Sequence, residues 1–353
     1  MAIYDLERCS IFLVEDNSYV RNILADMLRY LKFGTVTTAE DGADAIEYLK
    51  TLRHTADGFD FIVSDLVMSP INGLLLLRWV RTSKESPNRF MPFIMLSGAA
   101  DAEYVNAARD LGVTEFLAKP FSATSVYRKM LEVIDRPRQF VTTQSYFGPA
   151  RRRKRQTGYG GTDRRTNSDA DVTVVYSADK VVKATKPTKP TDVWYFRLQN
   201  ALKEKVGGLG ATGGGELPVQ LLADAEKQLK RAALDFTDWA ANYIAQLARA
   251  CKDAQEEPPR RAKLFEEINL LAHELRGQGG TFGYPLISSF AKMLYDCTGE
   301  GCRTEDNDVE VVKAHIDSMR AVLREKVAGD GGDVGRALHA ALKQAIERHT
   351  AVQ

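Results

Sequence analysis

The chain is expected to fold as an α/β module, a doubly wound five-stranded parallel sheet, followed by a basic linker and an all-α helical bundle. Three observations predict this. Five short apolar runs alternate with helical patterns over the first 135 residues, as in βα units stacked into a sheet covered on both faces. From Pro137 the composition turns to Gly, Thr, Pro and charge. From Trp194 onward apolar residues recur at three and four spacing, the requirement of one helix face. The expected division is 1–136, 137–192 and 193–353, with the bundle core at 218–350.

The first module reads in order. Ser10–Val14 is an apolar strand that stops at Glu15-Asp16, and residues 18–32 form a helix whose stripe is Ile23, Leu24, Met27, Leu28 and Leu31. Thr35–Ala39 is a strand, and Asp41-Gly42 opens a helix through Leu49. Phe61-Ile62-Val63-Ser64 runs into Asp65, after which Ser-Pro and Asn-Gly turn the chain into a helix over 74–80. Strands at Phe93–Leu96 and Phe116–Ala118 end at Ser97-Gly98 and Lys119-Pro120, with helices over 101–111 and 122–134.

In such a sheet ligands bind beyond the carboxyl ends of the strands, at the point where the 2-1-3-4-5 order reverses. Four strand ends there bring together Glu15, Asp16, Asp65, Ser97 and Lys119. Three neighbouring acids repel one another unless a hard divalent cation lies between them, and Mg²⁺ takes one or two carboxylates with waters and a phosphate oxygen. Glu15 and Asp16 are the expected ligands. Asp65 is then free to act as a nucleophile that becomes an acyl phosphate, with Mg²⁺, Lys119 and Ser97 offsetting charge on the transferring group.

Over about residues 8–135 the sequence resembles the receiver domain of two-component response regulators. The acid pair, Asp65 with Gly73 eight places on, Ser97, and Lys119-Pro120 occur in that family's order. The resemblance implies that Asp65 and the backbone carbonyl of Val67 also ligate the metal, and that Phe116 and Ser97 form a switch on the face from Tyr104 to Phe121. Glu15 stands where aspartate is commoner, Pro70 one place late, and Phe116 where Tyr is frequent. Each change keeps the required functional groups.

Charge is uneven along the chain. Residues 1–135 carry 14 Lys/Arg against 19 Asp/Glu, residues 136–192 carry 13 against 5, and residues 193–353 carry 21 against 23. The middle is basic and lacks apolar periodicity, so a solvated, largely disordered tether is expected. It holds the cationic run Arg151–Arg155, the echo Tyr146–Arg152 with Tyr159–Arg165 (Y-x-G-x-x-R-R), a lone strand at 172–176 and an extended segment at 183–190. Clustered Arg beside aromatics could instead dock phosphate, nucleic acid or an acidic protein face.

In the last third, Leu222, Ala225, Leu229, Ala232, Phe236, Ala240, Tyr243, Leu247 and Cys251 mark one helix from Pro218 to Ala254. At ~1.5 Å per residue it would be about 55 Å long. Such a length implies either a break near Asp235 or pairing with a second copy. In the next helix, Leu264, Ile268, Leu271 and Leu275 set the core face, and at roughly 100° per residue His273 points about 180° away, into solvent. Arg276 lies one turn along, able to hold a phosphate, and Gly277 leaves room for a partner. Helices carrying Leu286, Phe290, Met293 and Leu294, then Val309, Val312, Ile316, Met319 and Leu323, then Leu338, Leu342 and Ile346 complete the bundle.

His273-Glu274-Leu275-Arg276-Gly277, with Gly283 ten places after the histidine, resembles the active helix of histidine-phosphotransfer domains over about residues 218–350. Arg276 replaces the commoner Lys, and Gln278 with Gly279 the usual small pair. The resemblance implies that His273 carries a phosphoryl group.

Composition sets outer bounds. With 353 residues at 44% hydrophobic, the chain can bury two or three cores. No stretch approaches the ~18 uninterrupted apolar residues of a membrane span, and Met1–Arg8 lacks a signal-peptide pattern, so a cytoplasmic protein is expected. Cys9, Cys251, Cys297 and Cys302 read as reduced thiols, and the Cys297-x4-Cys302 pair lacks the further ligands of a zinc site.

The expected function is a phosphorelay: Asp65 takes phosphoryl from a sensor histidine kinase or another phosphohistidine donor, and His273 exchanges it with this or another receiver. The alternative is a phosphorylation-controlled binding module whose helical half dimerises and whose Arg-rich linker contacts nucleic acid or a protein. Only charge supports the nucleic-acid contact. No nucleotide-binding glycine loop or kinase, cyclase or phosphodiesterase signature occurs, so no separate enzymatic output domain is expected.

Overall fold

The computed structural model describes residues 4–52, 58–98, 102–119, 121–150, 172–175, 192–196, 198–280 and 282–350. They fall into two compact units, one running to Lys227 and the other from Gln228.

The first unit is built on a five-stranded parallel sheet in the order β2-β1-β3-β4-β5. Its strands are β1 (Ser10–Val14), β2 (Thr35–Ala39), β3 (Phe61–Asp65), β4 (Phe93–Ser97) and β5 (Glu115–Ala118). The intervening helices are α1 (Ser18–Tyr30), α2 (Gly42–Thr51), α3 (Gly73–Thr82) and α4 (Ala102–Leu111), and α5 (Ala123–Asp135) follows β5. All five residues of β3 and of β4 are buried. Continuous apolar runs are what strands covered on both faces need.

Side chains at the loop ends start the helices. Asn17 accepts from the Val20 amide, Asp41 from Ala43 and Asp44, Asn72 from Leu75, and Ser122 from Ser125. Each satisfies an amide that has no partner within its own helix. The core gathers Phe12, Val14, Ile62, Leu76, Phe93 and Met95, each worth roughly 1.5–3 kcal/mol of burial.

The described residues of 137–192, namely 137–150, 172–175 and 192, include strands where a largely disordered linker is expected. β6 (Phe140–Thr142), β7 (Phe147–Pro149), β8 (Val172–Val175) and β9 (Val193–Phe196) form a second sheet in the order β7-β6-β9-β8. β8 pairs in parallel with β9, so it is not a lone strand. β9 also interrupts the helical reading from Trp194, because Val193-Trp194-Tyr195-Phe196 is a β-branched and aromatic run.

The physical reason is a buried aromatic cluster of Phe90, Phe140, Phe147 and Phe196, with ring centroids 5.0–6.0 Å apart. Arg81 anchors it. Only 1% exposed, its guanidinium donates to the carbonyls of Gly112, Arg89 and Met91 at 2.9, 2.7 and 2.8 Å and lies 5.2 Å from the Phe140 ring centroid. Arg151–Arg155, Tyr159–Arg165 and the segment 183–190 lie outside the described residues, as does Pro120.

The unit boundary also falls later than 192/193. α6 (Ala201–Gly207) belongs with the first unit: Asn200, its cap, donates to the Ile134 carbonyl at 2.6 Å, and Lys205 pairs with Asp60 at 2.6 Å. Asp135 is held by the Tyr4 hydroxyl, by Lys203 at 3.2 Å and by the Gly215 amide at 3.0 Å.

α7 runs unbroken over Val219–Glu256, with no interruption near Asp235. In the second unit it is followed by α8 (Arg261–Gln278), α9 (Pro285–Cys297), α10 (Asp306–Arg324) and α11 (Gly332–Thr350). Phe236 of α7 stacks on Phe282 at 4.6 Å, and Arg261 donates to the Ala254 carbonyl at 2.7 Å and pairs with Asp306 at 2.6 Å. Among the described residues no helix is long and apolar enough to cross a membrane.

Candidate functional site

The first site is where β1, β3, β4 and β5 end. The Glu15, Asp16 and Asp65 carboxylates bring oxygen atoms within 4.8 Å of one another. Lys119 reaches in from the end of β5, with Nζ 2.9 Å from Asp65 Oδ1 and 3.4 Å from Glu15 Oε2. The Leu66 amide donates to the same Asp65 oxygen at 2.9 Å, which fixes the carboxylate's orientation. Ser97 lies alongside, its carbonyl accepting from the Lys119 amide at 2.7 Å. The sequence-predicted acids, lysine and serine thus meet at one rim. Val67 follows two residues beyond Asp65 in the β3–α3 loop, and Phe116 packs half-buried against the core.

The sequence must allow this rim to close. Gly73 opens α3 directly against β3, and a Cβ there would lie 2.2 Å from the Asp65 carbonyl oxygen. A side chain at that place would push the acid out of position, so glycine eight residues after Asp65 is a steric requirement of the site.

Electrostatically the site is overloaded with negative charge. Glu15 is 0% exposed and Asp65 4%. Burial, then the nearby Asp65 charge, push the Glu15 carboxyl up to about 8 despite Lys119. Burial likewise raises Asp65, opposed by Lys119 and the Leu66 amide. Burial works against the Lys119 ammonium, but the Asp65 and Glu15 carboxylates outweigh it and hold its pKa above the ordinary lysine value. One ammonium cannot offset three carboxylates. An all-oxygen donor set with surplus negative charge suits a hard divalent cation.

Arg21 escaped the sequence reading. From the second turn of α1 it donates to the Glu15 carbonyl at 2.7 Å and the Asp16 carbonyl at 3.2 Å, and it pairs with Glu40 at 3.1 Å. It holds the acid loop in place. Five or six residues separate it from the acids, a spacing with no motif attached.

The second site departs in one respect from its expected geometry. His273 is half-buried instead of facing solvent fully, its ring 5.6 Å from that of Tyr295 on α9. The buried stripe of α8 includes Phe265 and Ala272 besides Leu264, Ile268 and Leu275, while Leu271 is only half-buried. That stripe is wider than the leucine spacing alone, and α9 closes over its flank.

Arg276 stacks 4.3 Å over the Tyr295 ring and brings Nη2 to 3.3 Å from His273 Nδ1. Tyr295 is therefore a further member of the site, on a helix the motif does not include. Asn269 ties the two helices at this level by donating to the Tyr295 carbonyl at 2.7 Å. Gly279 permits their approach, since a Cβ would lie 2.6 Å from the Tyr284 carbonyl, whereas a Cβ at Gly277 would meet nothing within 4 Å.

Comparison with known proteins bears on the first unit. The model of the response regulator receiver domain matches residues 11–131. The chemotaxis protein CheY-3 of Vibrio cholerae is 32% identical over 126 residues, 36% of this chain and 92% of the relative. CheY of Pseudomonas aeruginosa is also 32% identical over 126 residues, covering 96% of that relative.

Among solved structures, V. cholerae CheY4 is 25% identical with a TM-score of 0.32, covering 35% of this chain and 98% of that one. The receiver domain of a P. aeruginosa sensor histidine kinase, described with a magnesium ion in its active-site cleft, is 28% identical with a TM-score of 0.31, covering 35% and 95%. Through residues 11–131 the chain belongs to the response regulator receiver family of two-component signalling.

Proposed function

We propose that the chain is a two-component phosphorelay protein with two stations, an acyl phosphate on Asp65 and a phosphohistidine on His273. The observation that carries the first is the Lys119–Asp65–Glu15 contact within the three-carboxylate rim. An Asp65 oxygen attacks the phosphorus of a phosphohistidine donor as the P–N bond breaks. The bonding pair leaves with the imidazole nitrogen, which takes up a proton. Lys119 turns its charge from the free carboxylate to the incoming phosphoryl oxygens, and the Leu66 amide keeps the carboxylate aimed. Glu15, Asp16 and Asp65, with the Val67 carbonyl, would hold Mg²⁺. When bound it supplies charge neutralisation that one ammonium leaves incomplete.

At the second station the neutral His273 imidazole takes phosphoryl from an aspartyl phosphate in this or another receiver. The P–O bond breaks and its electron pair returns to the carboxylate. The Arg276 guanidinium, pinned on Tyr295, lies beside the ring where the added charge develops. Open space at Gly277, where packing makes no demand for glycine, supports the approach of a partner surface one turn from the histidine.

A radiolabelled, phosphorylated histidine kinase fed to the wild type, Asp65→Asn and His273→Gln tests this. Asp65→Asn should lose the acyl-phosphate label and His273→Gln the phosphohistidine label. Labelling indifferent to both changes would end the proposal.

A further inference from the structure

Building on the phospho-acceptor reading of Asp65, we infer that the contact between Glu226 and the first residue of α5 is a latch that phosphorylation of Asp65 releases. α5 opens at Ala123, and its cap Ser122 serves only the amide of Ser125. The Ala123 amide must find a partner outside the helix. It donates to Glu226 Oε2 at 2.9 Å, a carboxylate that arrives from α7, over a hundred residues away in sequence.

The opening turns of α7 are held there by more than this bond. Leu222 and Ala225 are buried, and Leu221 with Pro218 lines a cleft shared with Tyr4, Leu31 and Tyr127 of α5. The polar member of this contact is the one placed to sense the site. Lys119 directly follows β5 and stands four residues before Ala123. Its amide is tied to the end of β4 and its ammonium to Asp65 and Glu15.

A phosphoryl group on Asp65 adds negative charge at the sheet edge from which α5 starts and draws Lys119 onto new oxygens. Three residues separate Lys119 from Ala123 in the chain, so a displaced Lys119 pulls on the first turn of α5. A shift of that turn misaims the Ala123 amide, and the hydrogen bond to Glu226 weakens with angle as well as distance. Release frees the first turns of α7, the helix that precedes the His273-bearing α8 in the chain. Receiver phosphorylation would thereby change the restraint on the segment leading to the second station.

Hydrogen exchange on the full chain with Mg²⁺, with and without beryllofluoride as the acyl-phosphate analogue, tests the latch. With the analogue, exchange over residues 219–227 should speed up by about fivefold or more while residues 66–72 become protected. Glu226→Ala should exchange fast over 219–227 without the analogue and show no further change on adding it. Glu226→Gln, which keeps an acceptor oxygen but loses the charge, should fall between, with exchange over 261–278 unchanged in both variants as the control for folding. Protection of 66–72 with unchanged exchange over 219–227 in the wild type overturns the latch alone. Absence of protection at 66–72 overturns the acceptor reading, and the latch with it.

Discussion

Lys119 Nζ stands 2.9 Å from Asp65 Oδ1, and both side chains are almost wholly removed from water. The ammonium does two opposed things in such a place. It offsets acids that would otherwise repel one another, and it competes with any cation those acids could bind. Lys119→Met separates the two roles. Phosphorylation of Asp65 by acetyl phosphate should slow by about a hundredfold, the usual scale for losing one charged stabiliser of a transferring group. Mg²⁺ affinity measured by calorimetry should hold or rise, since the acids lose their internal competitor. A matching loss of Mg²⁺ affinity would show that Lys119 is needed to assemble the site itself.

Gly73 permits that assembly. Gly73→Ala places a methyl group 2.2 Å from the Asp65 carbonyl oxygen, where only backbone could yield. The expected cost is about 2–3 kcal/mol in urea unfolding of the first unit, within the range of overpacking at a rigid contact. Acetyl phosphate labelling should fall with it. Wild-type labelling in the alanine variant would mean that the strand end moves freely without harm to the acid.

Tyr295 separates positioning from chemistry at the second station. Tyr295→Phe keeps the face on which Arg276 stacks and should preserve phosphotransfer to His273. Tyr295→Leu removes it and should lower the transfer rate by roughly fivefold, the cation–π contact being worth on the order of 1 kcal/mol. The loss should appear in the rate at saturating donor more than in the donor concentration required. Equal activity in both variants would show that Arg276 needs no such support.

A histidine outside both sites makes the second unit sensitive to acid. His315 is buried on α10, its Nδ1 2.8 Å from the Val311 carbonyl, and burial lowers its pKa, partly opposed by that hydrogen bond. The unfolded chain binds the proton more readily, with a reference pKa of about 6.5, so the stability contribution is full above that pH and is lost as pH falls below it. The urea midpoint of the second unit should drop between pH 7.5 and pH 5 more steeply in the wild type than in His315→Phe. Parallel pH profiles would remove His315 as the cause.

Much of the receiver site is legible in sequence because each functional group sits at the end of an apolar run, where turn chemistry marks the strand's last residue. Asp65, Ser97 and Lys119 need only a fold class to be brought together. The second sheet is illegible for the opposite reason. β6 and β7 are three residues long, and β6 finds its partner β9 some fifty residues away. Its aromatic core also borrows Phe90 from a loop and Arg81 from the end of α3.

The direction of His273 shows a subtler limit. The leucine spacing of α8 omits Phe265 and Ala272, which widen the buried stripe, and nothing local announces that Tyr295 will cover its flank. Long helices with clear spacing are easy to find. The side chain of a neighbouring helix that leans on them is not.

Incubating the intact protein with labelled acetyl phosphate and Mg²⁺, then locating the phosphoryl group, tests the two-station relay itself. A base-labile acyl phosphate should form at Asp65, followed by an acid-labile phosphohistidine at His273, with Asp65→Asn losing both and His273→Gln only the second. Label that never reaches His273, in this chain or on mixing with other phosphorylated receivers, would contradict it.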